Sequence, residues 1–208
     1  MRAGGHSGRQ ARESVKSAFI SVILLAAGGS ARLGQPKQLL RIGNKSLIRK
    51  LAEEALSSRT HEVIVVIGAQ ADEMRTELKG LTTKIVDNKG WTEGLSSSVK
   101  TGLAAVSEQT RGALFMLCDQ PYVTSNLLNQ LMERFESTRA PVVACEYAGT
   151  IGIPALFSRS LFSELNLLEG DAGGKSVILA RIEKTERIPF PRGVVDIDTR
   201  DDLNAFLR

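Results

Sequence analysis

The sequence predicts an α/β fold with a doubly wound, mostly parallel sheet flanked by helices. Short apolar runs at 22–25, 62–67 and 113–118 read as strands buried on both faces. Between such runs lie segments with apolar residues at helical spacing. Alternation of this kind favours parallel strands with right-handed helical crossovers. Residues able to contact ligands fall where strands end, at Gly28, Gly68, Asp87, Asn88 and Asp119. Doubly wound sheets bind ligands beyond those carboxyl ends.

The elements follow in order. Residues 22–25, Val-Ile-Leu-Leu, form the first strand. Residues 46–57 form a helix with Leu47, Ile48, Leu51, Ala52 and Ala55 on one face. The β-branched run 62–67 is the second strand, 71–78 a helix and 84–86 a short third strand. Serines open a helix over 96–106, and 113–118 is again a strand. A helix at 125–137 starts on Ser125, and 142–145 is a strand. Residues 156–165 and 175–181 are expected to be partly helical, 194–197 the last strand and 201–207 the last helix.

The chain has 208 residues, 42% of them hydrophobic, enough for one domain with a full core. Its formal charge is +4, and residues 1–18 account for +3 of it through Arg2, Arg9, Arg12, Lys16 and Glu13. These residues are expected to form a disordered basic tail, and 19–208 a single domain. With the basic excess in the tail, no nucleic-acid partner is indicated. The basic stretch before the apolar residues 18–27 also has the outline of a secretory signal peptide, whose cleavage would remove the first strand. No apolar run reaches about 18 residues, so no membrane span is expected. Two cysteines, Cys118 and Cys145, suit a reducing, cytoplasmic setting and buried thiols.

After the first strand comes Ala-Ala-Gly-Gly-Ser-Ala-Arg-Leu-Gly-Gln-Pro-Lys. Gly28 and Gly29 lack a Cβ, so an anion can approach their N–H groups closely. Arg32 offers a planar fork for phosphate oxygens and Lys37 a point charge. The segment reads as a triphosphate cradle. It is not a Walker loop, because Gly34 is followed by Gln35 and Pro36, and it lacks the dinucleotide G-x-G-x-x-G.

Asp119 ends an apolar strand and suits Mg²⁺, which takes oxygen ligands and keeps waters and phosphates as the rest; it also suits a turn before Pro121. Asp196 and Asp198 would share one strand face, where two carboxylates want a cation between them; Asp198 also reads as a helix cap. Gly94, Ser96, Ser97 and Ser98 open a helix and suit either an anion or simple capping. Gly170-Asp171-Ala172-Gly173-Gly174-Lys175 is a second glycine-rich loop, a ligand segment or a flexible surface loop.

The first loop resembles the signature L-A-A-G-x-S-x-R-x-G-x-x-K-x-L-L of nucleotidyltransferases with a Rossmann-like, nucleotide-diphospho-sugar transferase fold. The matching residues are Leu25, Ala26, Ala27, Gly28, Ser30, Arg32, Gly34, Lys37, Leu39 and Leu40. Leu-Cys-Asp-Gln-Pro resembles the metal-binding L-x-D-x-P segment, and Asp196-Ile-Asp198-Thr the family's D/N-x-D/N-T. Trp91 to Ser98 resembles W-x-x-G-M-x-x-S, with Leu95 for Met. Gly170 to Lys175 resembles G-D-x-G-A-R, with Lys175 for Arg, and Gly152-Ile153-Pro154 resembles G-x-P. Five segments in family order point to the molybdenum-cofactor cytidylyltransferases or near relatives.

The resemblance implies transfer of CMP from CTP to a phosphomonoester, Mo-molybdopterin, with release of pyrophosphate. Arg32, Lys37 and Asp119 would be catalytic. Leu25, Ala26, Ala27, Gly28, Gly29, Gly68, Asn88, Gly94 and Ser96 to Ser98 would join Arg32 and Lys37 in holding the nucleotide. Gly152, Pro154, Gly170, Asp171, Gly173, Lys175 and Asp196 would hold the acceptor. Asp119 and Asp198 would bind Mg²⁺, with Mn²⁺ as the alternative ion. A molybdenum hydroxylase would receive the product. Other readings are guanylyl or sugar-phosphate transfer, a nicotinamide-nucleotide oxidoreductase, and a non-catalytic molybdenum-cofactor chaperone.

Overall fold

The structure, a computed structural model, describes residues 18–30, 33–197 and 199–206. The expected tail, Arg32 and Asp198 lie outside the described residues, except that Ala18 is placed, its N–H donating to Glu136 Oε1 at 3.0 Å.

The first strand, β1, spans Ile20–Ala26 and is buried along its whole length. Its side chains alternate between two cores, as a period of two requires. Ile20, Val22, Leu24 and Ala26 enter one core; Ile23, Leu25 and Ala27 enter the other. The chain then forms a small hairpin, β2 (Arg41–Ile42) and β3 (Lys45–Ser46), absent from the sequence expectations. Its reversal uses Gly43 at φ 64, where glycine pays no Cβ penalty.

Helix α1 (Leu47–Leu56) is capped by Ser46, whose side chain accepts from the Arg49 N–H. Its five predicted apolar residues are all buried. Strand β4 (Glu62–Ile67), helix α2 (Ala71–Glu77) and strand β5 (Lys84–Asp87) follow as expected. Helix α3 (Leu95–Ala104), strand β6 (Gly112–Leu117) and helix α4 (Ser125–Thr138) complete the parallel half. Strand β7 is Val142–Tyr147.

The C-terminal third differs from expectation. Residues 150–158 form strand β8 (Thr150–Ser158), so only the end of the expected 156–165 helix exists, as α5 (Phe162–Leu165). The apolar run Ala155-Leu156-Phe157 has no periodicity that separates strand from helix, and sheet pairing decides it. Pro154 sits where β8 shifts register against β7, which suits a residue with no N–H to donate. After α6 (Gly174–Leu179), the last strand is β9 (Thr185–Pro189). Residues 194–197 are not a strand: a 3₁₀ turn covers Pro191–Val194, and irregular chain leads to α7 (Arg200–Phe206).

The seven-stranded sheet has the order β5-β4-β1-β6-β8-β7-β9. All its described pairings are parallel except those of β8, which runs antiparallel between β6 and β7. This is the mostly parallel, doubly wound sheet that the strand and helix pattern predicted. Among the described residues no helix is long and apolar enough to cross a membrane.

Candidate active site

A cavity of about 420 Å³ opens at the carboxyl ends of β1 and β6. The topology dictates this place, since β1 and β6 are parallel neighbours and both release their loops on one side. Gly28 and Gly29 are exposed there. A Cβ on Gly28 would meet nothing within 4 Å, whereas one on Gly29 would press the Trp91 ring at 3.1 Å. The loop is thus open at Gly28 and braced by an indole at Gly29.

Lys37 and Asp119 both line this cavity. Lys37 Nζ donates to Asp119 Oδ2 at 3.0 Å, with both side chains less than one-fifth exposed. Lys37 stands on a 3₁₀ turn, Lys37–Leu39, and Asp119 just beyond β6. The other carboxylate oxygen, Asp119 Oδ1, is buried and has no hydrogen-bond partner among the described residues. A buried carboxylate oxygen left without a hydrogen bond is costly even when its twin is paired, so this atom fits a cation or a donor supplied by a ligand. The main-chain oxygen of Asp119 accepts from the Ile197 N–H at 3.0 Å, tying the C-terminal segment to the site. Asp198, the other expected metal ligand, lies outside the described residues, and no group of three or more potential metal-binding side chains occurs among those described.

Several expected nucleotide residues serve the protein's own architecture. A Cβ on Gly68 would come within 2.8 Å of the Ala27 oxygen, so this glycine lets β4's end pack on the first loop. Asn88 is buried, and its Nδ2 donates to Ser97 Oγ at 2.8 Å and Ser98 Oγ at 3.0 Å. Ser97 Oγ donates to the Gly94 oxygen at 2.8 Å, and the Ser96 N–H donates to the Gly170 oxygen at 3.0 Å. These groups join the start of α3 to the second glycine loop. Ser98, Gly94 and Asp171 line the cavity with Leu25, Ala26 and Ala27. Asp171, expected on the acceptor side, therefore stands on the same cavity as the first loop.

The remaining acceptor residues are more dispersed. Gly152 and Pro154 are buried in β8, and a Cβ on Gly152 would meet the Tyr147 hydroxyl oxygen at 2.6 Å. Lys175 is exposed at the start of α6, and Gly173 packs against Leu95. Asp196 is exposed on irregular chain, so the shared strand face expected for Asp196 and Asp198 is corrected: no strand underlies it.

Sequence reasoning missed Gln38 and Tyr147 and assigned no role to Trp91. Gln38, 1% exposed, holds the first loop from beneath. Tyr147 donates to the Ile153 oxygen at 3.1 Å. Burial pushes its hydroxyl pKa up, against the pull of Gln120 and with the help of the nearby acids Cys145, Asp119 and Asp196. Its place between Lys37 and the apolar Leu39-Leu40 was the one available signal for Gln38; Tyr147 had none.

Both thiols are buried and inert. Burial, aided by Asp119, raises that of Cys118, and burial raises that of Cys145 to about 12. Thiolate is the reactive form, so iodoacetamide at neutral pH is expected to label the unfolded chain and spare the native one. Because these folded values exceed the ordinary 9.0, their contribution to stability is complete below about pH 9 and lost as pH rises toward 12. Denaturant midpoints measured from pH 8 to 11 should fall more steeply for the native chain than for a Cys118→Ala, Cys145→Ala variant; identical slopes would refute the burial of both thiols.

The MobA-like NTP transferase domain family matches residues 22–185. The chain belongs to this family. Among solved structures it resembles the Rv0371c homologue of Mycobacterium sp. strain JC1, at 34% identity and TM-score 0.79 over 90% of this chain and 94% of that one. It also resembles Rv0371c of Mycobacterium tuberculosis H37Rv, solved in complex with manganese, at 27% identity and TM-score 0.77 over 91% and 98%. It is 34% identical to nicotine blue oxidoreductase of Paenarthrobacter nicotinovorans over 114 residues, 54% of this chain and 55% of that protein. It is 25% identical to molybdenum cofactor cytidylyltransferase of Escherichia coli K12 over 186 residues, 88% and 93%. The chain spans just over half the length of the first curated relatives it matches.

Proposed function

We propose that this MobA-like protein is a metal-dependent nucleotidyltransferase that moves CMP from CTP to a phosphomonoester, Mo-molybdopterin, and releases pyrophosphate. The observation that carries the reading is the Lys37–Asp119 pair, 3.0 Å apart beside an open Gly28. One cation and one carboxylate at the mouth of a glycine loop suit a metal-chelated triphosphate. Similarity to the Escherichia coli cytidylyltransferase over most of both chains supports the substrate assignment.

The reaction asks for positioning more than covalent chemistry. An acceptor phosphate oxygen attacks the α-phosphorus, a new P–O bond forms, and the α–β bridging bond breaks with its electrons leaving on pyrophosphate. A phosphomonoester is largely dianionic at neutral pH, so no general base is needed. The loop N–H groups would receive phosphate oxygens, and Lys37 would exchange Asp119 for the phosphates, neutralising charge on the leaving group. Mg²⁺ or Mn²⁺ fits the orphaned Asp119 Oδ1, with Asp198 as the second ligand; when bound, the ion would screen the phosphates from the incoming nucleophile. Manganese in the Rv0371c complex supports use of a divalent ion.

CTP is preferred over GTP on Ala26-Ala27 before Gly28, where the guanylyl branch tends to carry Ala-Gly. A methyl group there changes discrimination by only about 1–3 kcal/mol. The product's recipient would be a molybdenum hydroxylase. A second reading, binding of a nicotinamide nucleotide, is favoured by the 34% identity to nicotine blue oxidoreductase. It gives no role to the Lys37–Asp119 pair.

Pyrophosphate release against a panel of NTPs, with Mo-molybdopterin as acceptor and Mg²⁺ present, tests the proposal. Turnover with CTP alone is the expected result. Thermal stabilisation by NADPH, with none by any NTP, would overturn it. Lys37→Met is expected to weaken CTP binding and lower the rate, each about tenfold or more, as loss of a charged hydrogen bond implies. Unchanged titration and kinetic curves would remove Lys37 from the site.

A further inference from the structure

We propose that Gln38 is a positioning residue that aims the first glycine loop at the nucleotide. The proposal rests on reading that loop as the NTP site.

Gln38 follows Lys37 on the same 3₁₀ turn, but the two side chains have different tasks. Lys37 reaches Asp119, while Gln38 is 1% exposed beneath the loop. Its Nε2 donates to the Ala26 oxygen at 3.0 Å and to the Gly28 oxygen at 2.7 Å. Both amide hydrogens are thus used on two carbonyls of the loop. This fixes the amide's orientation, since the flipped form would set its oxygen against both carbonyls. Gln38 Oε1 accepts from Ser30 Oγ at 3.4 Å, and Ser30 Oγ accepts from the Lys37 N–H at 3.0 Å. A closed set of bonds therefore joins the end of β1, the loop and the turn that carries Lys37.

The peptide unit gives this arrangement its consequence. In a trans peptide the N–H points opposite to the C=O. Drawing the Ala26 and Gly28 carbonyls onto Gln38 points the N–H groups of Ala27 and Gly29 the opposite way, within their peptide planes and away from Gln38. Gln38 thereby sets the loop's donors before a ligand arrives, and it places Lys37 in the same register. Glutamate would not serve, because its carboxylate would face two carbonyl oxygens with nothing to donate.

The test uses the full chain and three variants, Gln38→Leu, Gln38→Glu and Ser30→Gly. Ser30 has φ 54, which glycine adopts without strain, so Ser30→Gly should hold or raise the melting temperature while removing the link to Lys37 and Gln38. CTP and GTP affinities are measured calorimetrically with Mg²⁺, and KM is measured separately for the acceptor. Hydrogen exchange of residues 26–30 is followed without nucleotide. Gln38→Leu should weaken NTP binding about tenfold or more, the equivalent of one or two lost hydrogen bonds. It should speed exchange in the loop and leave acceptor KM within about twofold; Gln38→Glu should be worse. Ser30→Gly should weaken NTP binding with no loss of melting temperature. Should the Gln38 variants fail to fold, Ser30→Gly decides alone.

Unchanged loop exchange and NTP affinity in Gln38→Leu would overturn the proposal. So would affinity losses that track melting temperature across all three variants, the sign of a merely structural role. A wild-type protein that binds no NTP would instead remove the transferase reading, and the exchange experiment would still decide whether Gln38 holds the loop.

Discussion

Replacing Asp119 with Asn is expected to lower turnover about 10²–10³-fold, comparable to losing one preorganised electrostatic contact to a transition state. Asn keeps the shape of the side chain and removes its charge. The orphaned Oδ1 loses its fit for a cation, and the 3.0 Å contact with Lys37 loses its ionic character. NTP affinity should stay within a few-fold, since the loop N–H groups and Lys37 remain. Steady-state kinetics with CTP as the varied substrate separate the two effects: kcat should fall and KM should hold. Turnover within a few-fold of wild type would remove Asp119 from the chemistry. A melting temperature measured in parallel guards against a trivial explanation, because breaking a partly buried ion pair also destabilises.

The second large effect is expected at Gly94. Its φ is 102, and a Cβ there would lie 2.4 Å from the main-chain carbon and oxygen of Gly170. Neither contact can be relieved by rotating a side chain. Gly94→Ala must therefore separate the start of α3 from the second glycine loop, breaking the Ser96–Gly170 hydrogen bond. The expected loss of stability is about 2–4 kcal/mol, combining backbone strain with the lost contact. It should come with faster hydrogen exchange in residues 168–173. A denaturation midpoint like that of wild type would show that the two loops are not locked together. Gly28→Ala is the control: its Cβ meets nothing, so stability should hold.

The parallel half of the fold was legible because its signals were local. Each of β1, β4 and β6 is a short apolar run ended by glycine or a carboxylate, and α1 shows its apolar face in the spacing from Leu47 to Ala55. The antiparallel excursion was not. Strand β8 is defined by its partners β6 and β7, and nothing between Thr150 and Ser158 says that it will be inserted between them. Edge strand β9, only partly buried and ending in proline, likewise has too little pattern to distinguish it from the apolar residues around Val194. At the site, the glycine loop, Lys37 and Asp119 were read from type and order, and they do meet. The serines of α3 were ambiguous because a capping hydroxyl and a ligand-binding hydroxyl look alike in a sequence. Only the distances from Asn88 to Ser97 and Ser98 show how these groups are occupied.

The hydrogen bond from Ile197 to the Asp119 oxygen bears on how this protein should be handled. The last helix leads back through buried Ile197, whose N–H is bonded to the very residue expected to take the metal, so a fusion that unseats this helix from Tyr122 would disturb that residue. Ala18 enters at the far pole of the sheet, beside Glu136. Purification handles and fluorescent reporters therefore belong at the amino end, and a carboxyl-terminal tag risks being mistaken for a weak enzyme.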